Sequence, residues 1–154
     1  MYSSVDVANC FLKLAEKEGE EIRTMKLLKL TYIAHGFHLG FFDNPLIKEE
    51  IEAWKYGPVI PKLYFIIKKF GKKAVPSMGL KNHQENKLNE ETHKFVALIW
   101  DAYKKFSGYQ LSGLTHRENT PWHQVYKKDE SDILIPNPII SDFYKILIRE
   151  RKIG

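Results

Sequence analysis

The first half of the stretch Thr24–Pro61 constrains the fold more than any other part of the chain, because it is apolar on too many sides to lie on a surface. Leu27, Leu30, Ala34, Phe37 and Phe41 recur at spacings of three and four and make one helical face. Leu28, Tyr32 and His35 make a second row. A helix apolar on more than one face is buried between other elements. Its charge is confined to Lys26 and Lys29 near the start, so its later surface cannot face water cheaply. Gly36, Gly40, His35 and His38 interrupt it too often for a membrane span. The segment is therefore expected to be the central strut of one small domain, with Thr24 as its N-cap.

Beyond the strut, Asp43–Pro45 carries turn chemistry, and a weak alternation over Ile51–Tyr56 then runs into Gly57-Pro58-Val59-Ile60-Pro61. Gly57 permits a backbone angle that other residues resist, and Pro58 and Pro61 each fix one. The segment reads as a rigid, poorly hydrogen-bonded corner carrying the aromatic surface of Trp54 and Tyr56. Two roles fit it. It is a packed corner leading into a helix with Pro61 at its first position, or it is a preformed binding ridge.

These residues resemble a known family, the Panacea domain, which includes SocA-like antitoxins and many phage-associated proteins. The resemblance rests on Lys26, Leu27, Lys29, Leu30, Tyr32, Ala34, Gly36, His38 and Leu39. It continues through Glu52, Ala53, Trp54, Tyr56, Gly57, Pro58, Val59 and Pro61, and returns in a second block at Leu111, Ser112, Thr115, His116, Pro121 and Trp122. Two separated blocks in the same order are far more specific than one short motif. The resemblance implies a protein-binding antitoxin that neutralises a cognate toxin by direct contact. The alternatives it leaves open are an adaptor that delivers a toxin to a cytoplasmic protease, and a phage-encoded host-interaction factor with no toxin partner.

A length of 154 residues suits a single compact domain spanning 1–154, and 44% apolar with 13% aromatic content argues against disorder. Cys10 is the single cysteine, which excludes an internal disulfide; it falls in an apolar helical pattern as a small buried hydrophobe. No signal-peptide pattern opens the chain, so the cytoplasm is the expected location. The net charge of +5 favours acidic partners without by itself indicating nucleic acid.

The remaining elements are expected to be helical. Ser3 and Asp6 have capping-box spacing for a helix burying Val7, Ala8, Phe11, Leu12 and Ala15, with Gly19 as its stop. Glu16, Glu18, Glu20 and Glu21 read as a solvated connection or as a face for a basic partner. A short helix over Pro61–Phe70 buries Leu63, Ile66, Ile67 and Phe70 and ends at Gly71. Lys68, Lys69, Lys72 and Lys73 suit its dipole. Phosphate binding is the sharper alternative, weakened by the lack of arginine and of close aromatic interleaving. Residues 74–87 read as a flexible loop. Asn89 caps a helix with Phe95, Leu98, Ile99, Ala102 and Phe106 inward. Ser107 and Gln110 have capping-box spacing for another through Leu111 and Leu114. Thr120 and Pro121 open a short one carrying Trp122, Val125 and Tyr126. Ile133–Ile135 reads as a small strand beside residues 51–54. Ser141 reads as the cap of a final helix with Phe143, Ile146 and Leu147 inward. The basic end from Arg149 to Gly154 is a solvated tail or, on the adaptor reading, a docking tail.

The chain offers little enzyme chemistry. His35, His38, His116 and His123 would make a metal site only if their segments met, and no carboxylate or thiol completes a ligand pattern. The simpler assignment is a structural polar core of His38, Glu52 and His116. Cys10 has no basic partner in sequence, Ser112 lacks a nucleophile-elbow context, and Glu52 is one carboxylate where a mechanism needs more. There is no phosphate loop and no helix arrayed with Arg, Asn or Gln for a DNA groove. The expectation is a mainly α, compact single domain of about six helices with a small β element. It is not an enzyme, holds no cofactor or metal, and binds neither membrane nor nucleic acid. Its partner is a protein toxin. The candidate partner-binding residues are Trp54, Tyr56, Gly57, Pro58, Pro61, His116, Arg117 and Trp122.

Overall fold

The computed structural model describes residues 1–150. The elements run α1 (Ser4–Lys17), α2 (Thr24–Phe42), β1 (Glu52–Trp54), β2 (Gly57–Val59), α3 (Pro61–Ile67), α4 (Glu90–Tyr103), α5 (Gly108–His116), α6 (Pro121–Val125) and α7 (Asn137–Arg149), with 3-10 turns at Lys68–Phe70 and Ser77–His83. The architecture is mainly α with one two-stranded antiparallel sheet. No helix among the described residues is long and apolar enough to cross a membrane.

The apolar segment is the central strut. α2 touches α1, α3, α4, α5, α7 and β2, and Leu27, Leu30, Tyr32, Ala34, His35 and Phe37 are almost wholly removed from water. Its glycines, which looked like interruptions, set the approach of α7. A Cβ on Gly36 would overlap the Tyr144 ring, and one on Gly40 would lie 2.7 Å from Ile148 Cδ1. With the glycines in place, Tyr144 packs edge-on against Phe37 at 4.7 Å between centroids.

Several local expectations are met. Ser3 caps α1 and Asn89 caps α4, Ser107 and Gln110 form a reciprocal capping box on α5, and Thr120 with Pro121 opens α6. Cys10 is buried. Others are corrected by tertiary contacts. Arg23, not Thr24, is the N-cap of α2. Arg23 is held extended by its pairing with Ala74 and by its guanidinium donating to Lys72 O, while the Thr24 hydroxyl donates to Gly71 O. Asp6 does not complete the α1 box. Its carboxylate instead accepts from the backbone N–H groups of Glu85 and Asn86.

Residues 74–87 are not simply a loop, since Ser77–His83 forms a 3-10 turn that buries Leu80. The helix after Pro61 is α only to Ile67 and tightens over Lys68–Phe70. On α4, Leu98 is 67% exposed and Val96, Trp100 and Tyr103 turn inward instead. Glu18 decides this rotation by accepting from Trp100 Nε1 at 3.0 Å and Lys104 Nζ at 3.1 Å, which also anchors part of the acidic cluster within the chain. Phe41 and Ile146 are exposed, because α2 and α7 meet through Gly36, Phe37 and Gly40 against Tyr144 and Ile148. Ser141 lies buried inside α7, which starts earlier, after Pro136 and with Pro138 in its first turn. Residues 133–135 contribute one bridge, Glu52 to Leu134, rather than a full strand. Arg151 to Gly154, most of the expected docking tail, lies outside the described residues.

Candidate functional site

The corner between α2 and α3 is a hairpin. Glu52, Ala53 and Trp54 pair with Val59, Pro58 and Gly57, and Lys55 and Tyr56 form the turn. Gly57 sits at φ +119, a conformation that side chains with a Cβ rarely adopt. The expected poverty of hydrogen bonds is not found. Three alternate carbonyls at this turn are each clamped from a different helix. Trp54 O accepts from Trp122 Nε1 at 2.5 Å, Tyr56 O accepts from Ser112 Oγ at 2.7 Å, and Pro58 O accepts from Lys29 Nζ at 2.7 Å. α6, α5 and α2 therefore fix a turn whose own sequence, with a proline in one strand, limits its ladder.

Lys29 is the residue that sequence reasoning missed. It is 2% exposed, and burial pulls its ammonium down to about 8. Ammonium burial is costly unless hydrogen bonds replace water, and here the Pro58 carbonyl supplies one. Its only local signal is a place between Leu27, Leu28 and Leu30 in the apolar segment, and that is offset by Lys26 one turn earlier on the same face. Ser112 and Thr115, both buried, were likewise not among the expected site residues.

The structure brings the two sequence blocks together around this hairpin. His116 stands edge-on to Trp122 at 5.2 Å between centroids, and Trp122 stacks on Tyr126 at 4.5 Å. Gly57, Pro58 and Trp122 are buried; Trp54, Pro61 and His116 are half-buried; Arg117 is exposed and Tyr56 is 60% exposed. Glu52 accepts from Trp54 Nε1 at 2.9 Å on the hairpin itself. Trp54 packs edge-on against Tyr64 and Phe65 of α3, at 5.0 and 6.4 Å.

The histidines do not share one place. His38 Nδ1 donates to Asn44 O at 2.6 Å, tying the end of α2 to the neighbouring turn, and burial lowers its pKa against the opposing effect of that carbonyl. His116 Nδ1 bonds the Ser112 carbonyl of its own helix. His35, which was not among the expected polar-core residues, is the more connected. Its Nε2 meets Asn137 Oδ1 at 2.9 Å and its Nδ1 accepts from Ile47 N at 3.3 Å. Among the described residues no three His, Cys, Asp or Glu side chains group as metal ligands. Ser112 and His116 approach to 3.5 Å, but the serine proton is given to Tyr56 O and the imidazole Nδ1 to its own helix. The pair is built as a clamp rather than as a nucleophile and base.

Three comparisons bear on this arrangement. The family model described as antitoxin SocA-like, Panacea domain, matches residues 27–123, which run from the first turn of α2 into α6. Antitoxin SocA of Caulobacter vibrioides (strain NA1000 / CB15N) is 29% identical over 127 residues, covering 77% of this chain and 68% of that protein. No solved structure matches.

Proposed function

The chain belongs to the SocA-like antitoxin, Panacea domain family, and from that premise we propose that it neutralises a cognate protein toxin by direct contact through the hairpin corner. The observation that carries the reading is Tyr56, 60% exposed at a turn whose carbonyls are clamped by Trp122, Ser112 and Lys29. An aromatic anchor on a rigid support loses little conformational freedom on binding, and exposed Tyr and Arg are the residue types that dominate interface energies. Arg117, the exposed C-cap of α5 one residue after His116, supplies the second such group beside the same scaffold. The buried Gly57, Pro58 and Trp122 act in this reading as the support rather than as the contact.

The test is co-expression with the product of the neighbouring gene, scored by growth and by co-purification. Tyr56→Ala or Arg117→Ala should cost about 2 kcal/mol of binding, roughly thirtyfold in Kd, with an unchanged melting temperature. Growth rescue without a complex would refute direct contact. A complex insensitive to both substitutions would move the contact away from this corner.

A further inference from the structure

The toxin-facing reading of the hairpin says nothing of what the toxin must present, but the adjoining surface does. Residues 61–73 hold five lysines, Lys62, Lys68, Lys69, Lys72 and Lys73, and no acid. Their number equals the chain's net excess of 24 basic over 19 acidic side chains, so the rest of the sequence is neutral in sum. Among the described residues none of the five enters an ion pair. Glu85, whose carboxylate feels Lys62, is already bound to Lys48 at 2.7 Å. Dipole complementarity accounts for lysines at the end of α3 but not for Lys62 in its first turn.

The same surface is unusually apolar. Phe65 is 58% exposed, with Lys68 Nζ 4.9 Å from its ring centroid, and Lys69 lies over Phe70 at 5.3 Å, so the close aromatic neighbours that the lysine run was expected to lack are present. Lys62 and Phe65, three apart on α3, face outward opposite the buried Leu63 and Ile67, and Lys68 and Lys69 of the following 3-10 turn are exposed next to them in the chain. Phe65 meets Trp54, so this surface is continuous with the hairpin. Leu134, which bridges to Glu52 along the edge of β1 not paired with β2, is 46% exposed. Glu52 itself is engaged by the Trp54 indole.

We propose that this surface, Lys62, Phe65, Lys68 and Lys69, is the electrostatic half of the toxin interface, and that it receives an acidic segment of the toxin carrying an apolar side chain against Phe65 and Trp54. The proposal rests on the hairpin being the toxin contact. Lysines without arginine supply point charges rather than the bidentate forks that suit phosphate, and the aromatic rings beside them offer an apolar anchor. Charges at such a rim act mainly on encounter rate and salt dependence.

The test measures binding of the cognate toxin by calorimetry at 50 and 500 mM NaCl, for the wild type and for a variant carrying Lys62→Glu, Lys68→Glu and Lys69→Glu. These side chains are exposed and unpaired, and circular dichroism should show the variant folded. The proposal expects at least tenfold weaker binding by the variant at low salt and a smaller difference at high salt. A second variant, Phe65→Ser, should weaken binding at both salt concentrations. Wild-type binding with an equally tight charge variant overturns the acidic-partner inference while leaving direct toxin contact standing. No wild-type binding overturns both. Variants that keep toxin affinity but lose affinity for a 20-base-pair DNA duplex would overturn the proposal in favour of a nucleic-acid surface.

Discussion

His35 should make the stability of this domain fall in mild acid. Its imidazole is fully buried in α2, accepts at Nδ1 from the Ile47 amide and donates from Nε2 to Asn137 Oδ1. That pattern requires the neutral ring; a proton on Nδ1 would face the Ile47 N–H and lose its bond. Burial lowers the pKa from 6.5 to about 4, partly opposed by the Asn137 bond. The unfolded chain therefore takes up the proton first as pH falls. Stability is fully present above about pH 6.5 and is lost progressively as pH falls towards 4. With 1.36 kcal/mol per unit, the loss attributable to this one group at pH 5 is about 2 kcal/mol. Urea denaturation at pH 7, 6 and 5 measures it, with His35→Gln as the reference that cannot titrate. The wild type should lose about 2 kcal/mol more than His35→Gln between pH 7 and 5. Parallel pH profiles, or an NMR titration placing His35 near 6.5 in the folded protein, would refute the reasoning.

Packing sets two further outcomes. Gly36→Ala should destabilise the domain by about 1–3 kcal/mol, because the added methyl overlaps the Tyr144 ring and α7 must shift; chemical denaturation measures it, and an unchanged midpoint would contradict the close α2–α7 approach. Burial pushes the Cys10 thiol up to about 11, so it should resist a thiol reagent at pH 8 until the protein is unfolded in urea, and reaction at the rate of a free thiol in the native protein would contradict its burial.

How much of the site was legible depends on which contacts make it. Trp54, Tyr56, Gly57 and Pro58 stand out because a glycine, a proline and two aromatics together demand a special turn. The second block around His116 and Trp122 stands out through its family resemblance. That the blocks meet is a property of space. Trp122 Nε1 reaches Trp54 O across 68 positions of chain, and Ser112 reaches Tyr56 across 56. Lys29 illustrates the limit most clearly. A lysine near a helix start ordinarily marks a solvated face, and its burial results from the hairpin folding over it to offer Pro58 O.

The sequence by itself determined the features whose physics is local. Ser3, Asn89, Ser107 and Thr120 cap their helices because a side-chain oxygen needs only the amide two or three residues on. The apolar rows of α2 determined that it would be surrounded. Tertiary structure decided which face of each outer helix looks inward and where the weaker boundaries fall. Leu98 is turned out because Trp100 finds Glu18, Thr24 yields the cap to Arg23 because Ala74 pairs beside it, and His35 becomes a joint because Asn137 and Ile47 arrive from distant segments. Those outcomes depend on partners that no sequence neighbourhood contains. A residue's burial is set by the free energy of the whole packing, in which its own hydrophobicity is one contribution among several.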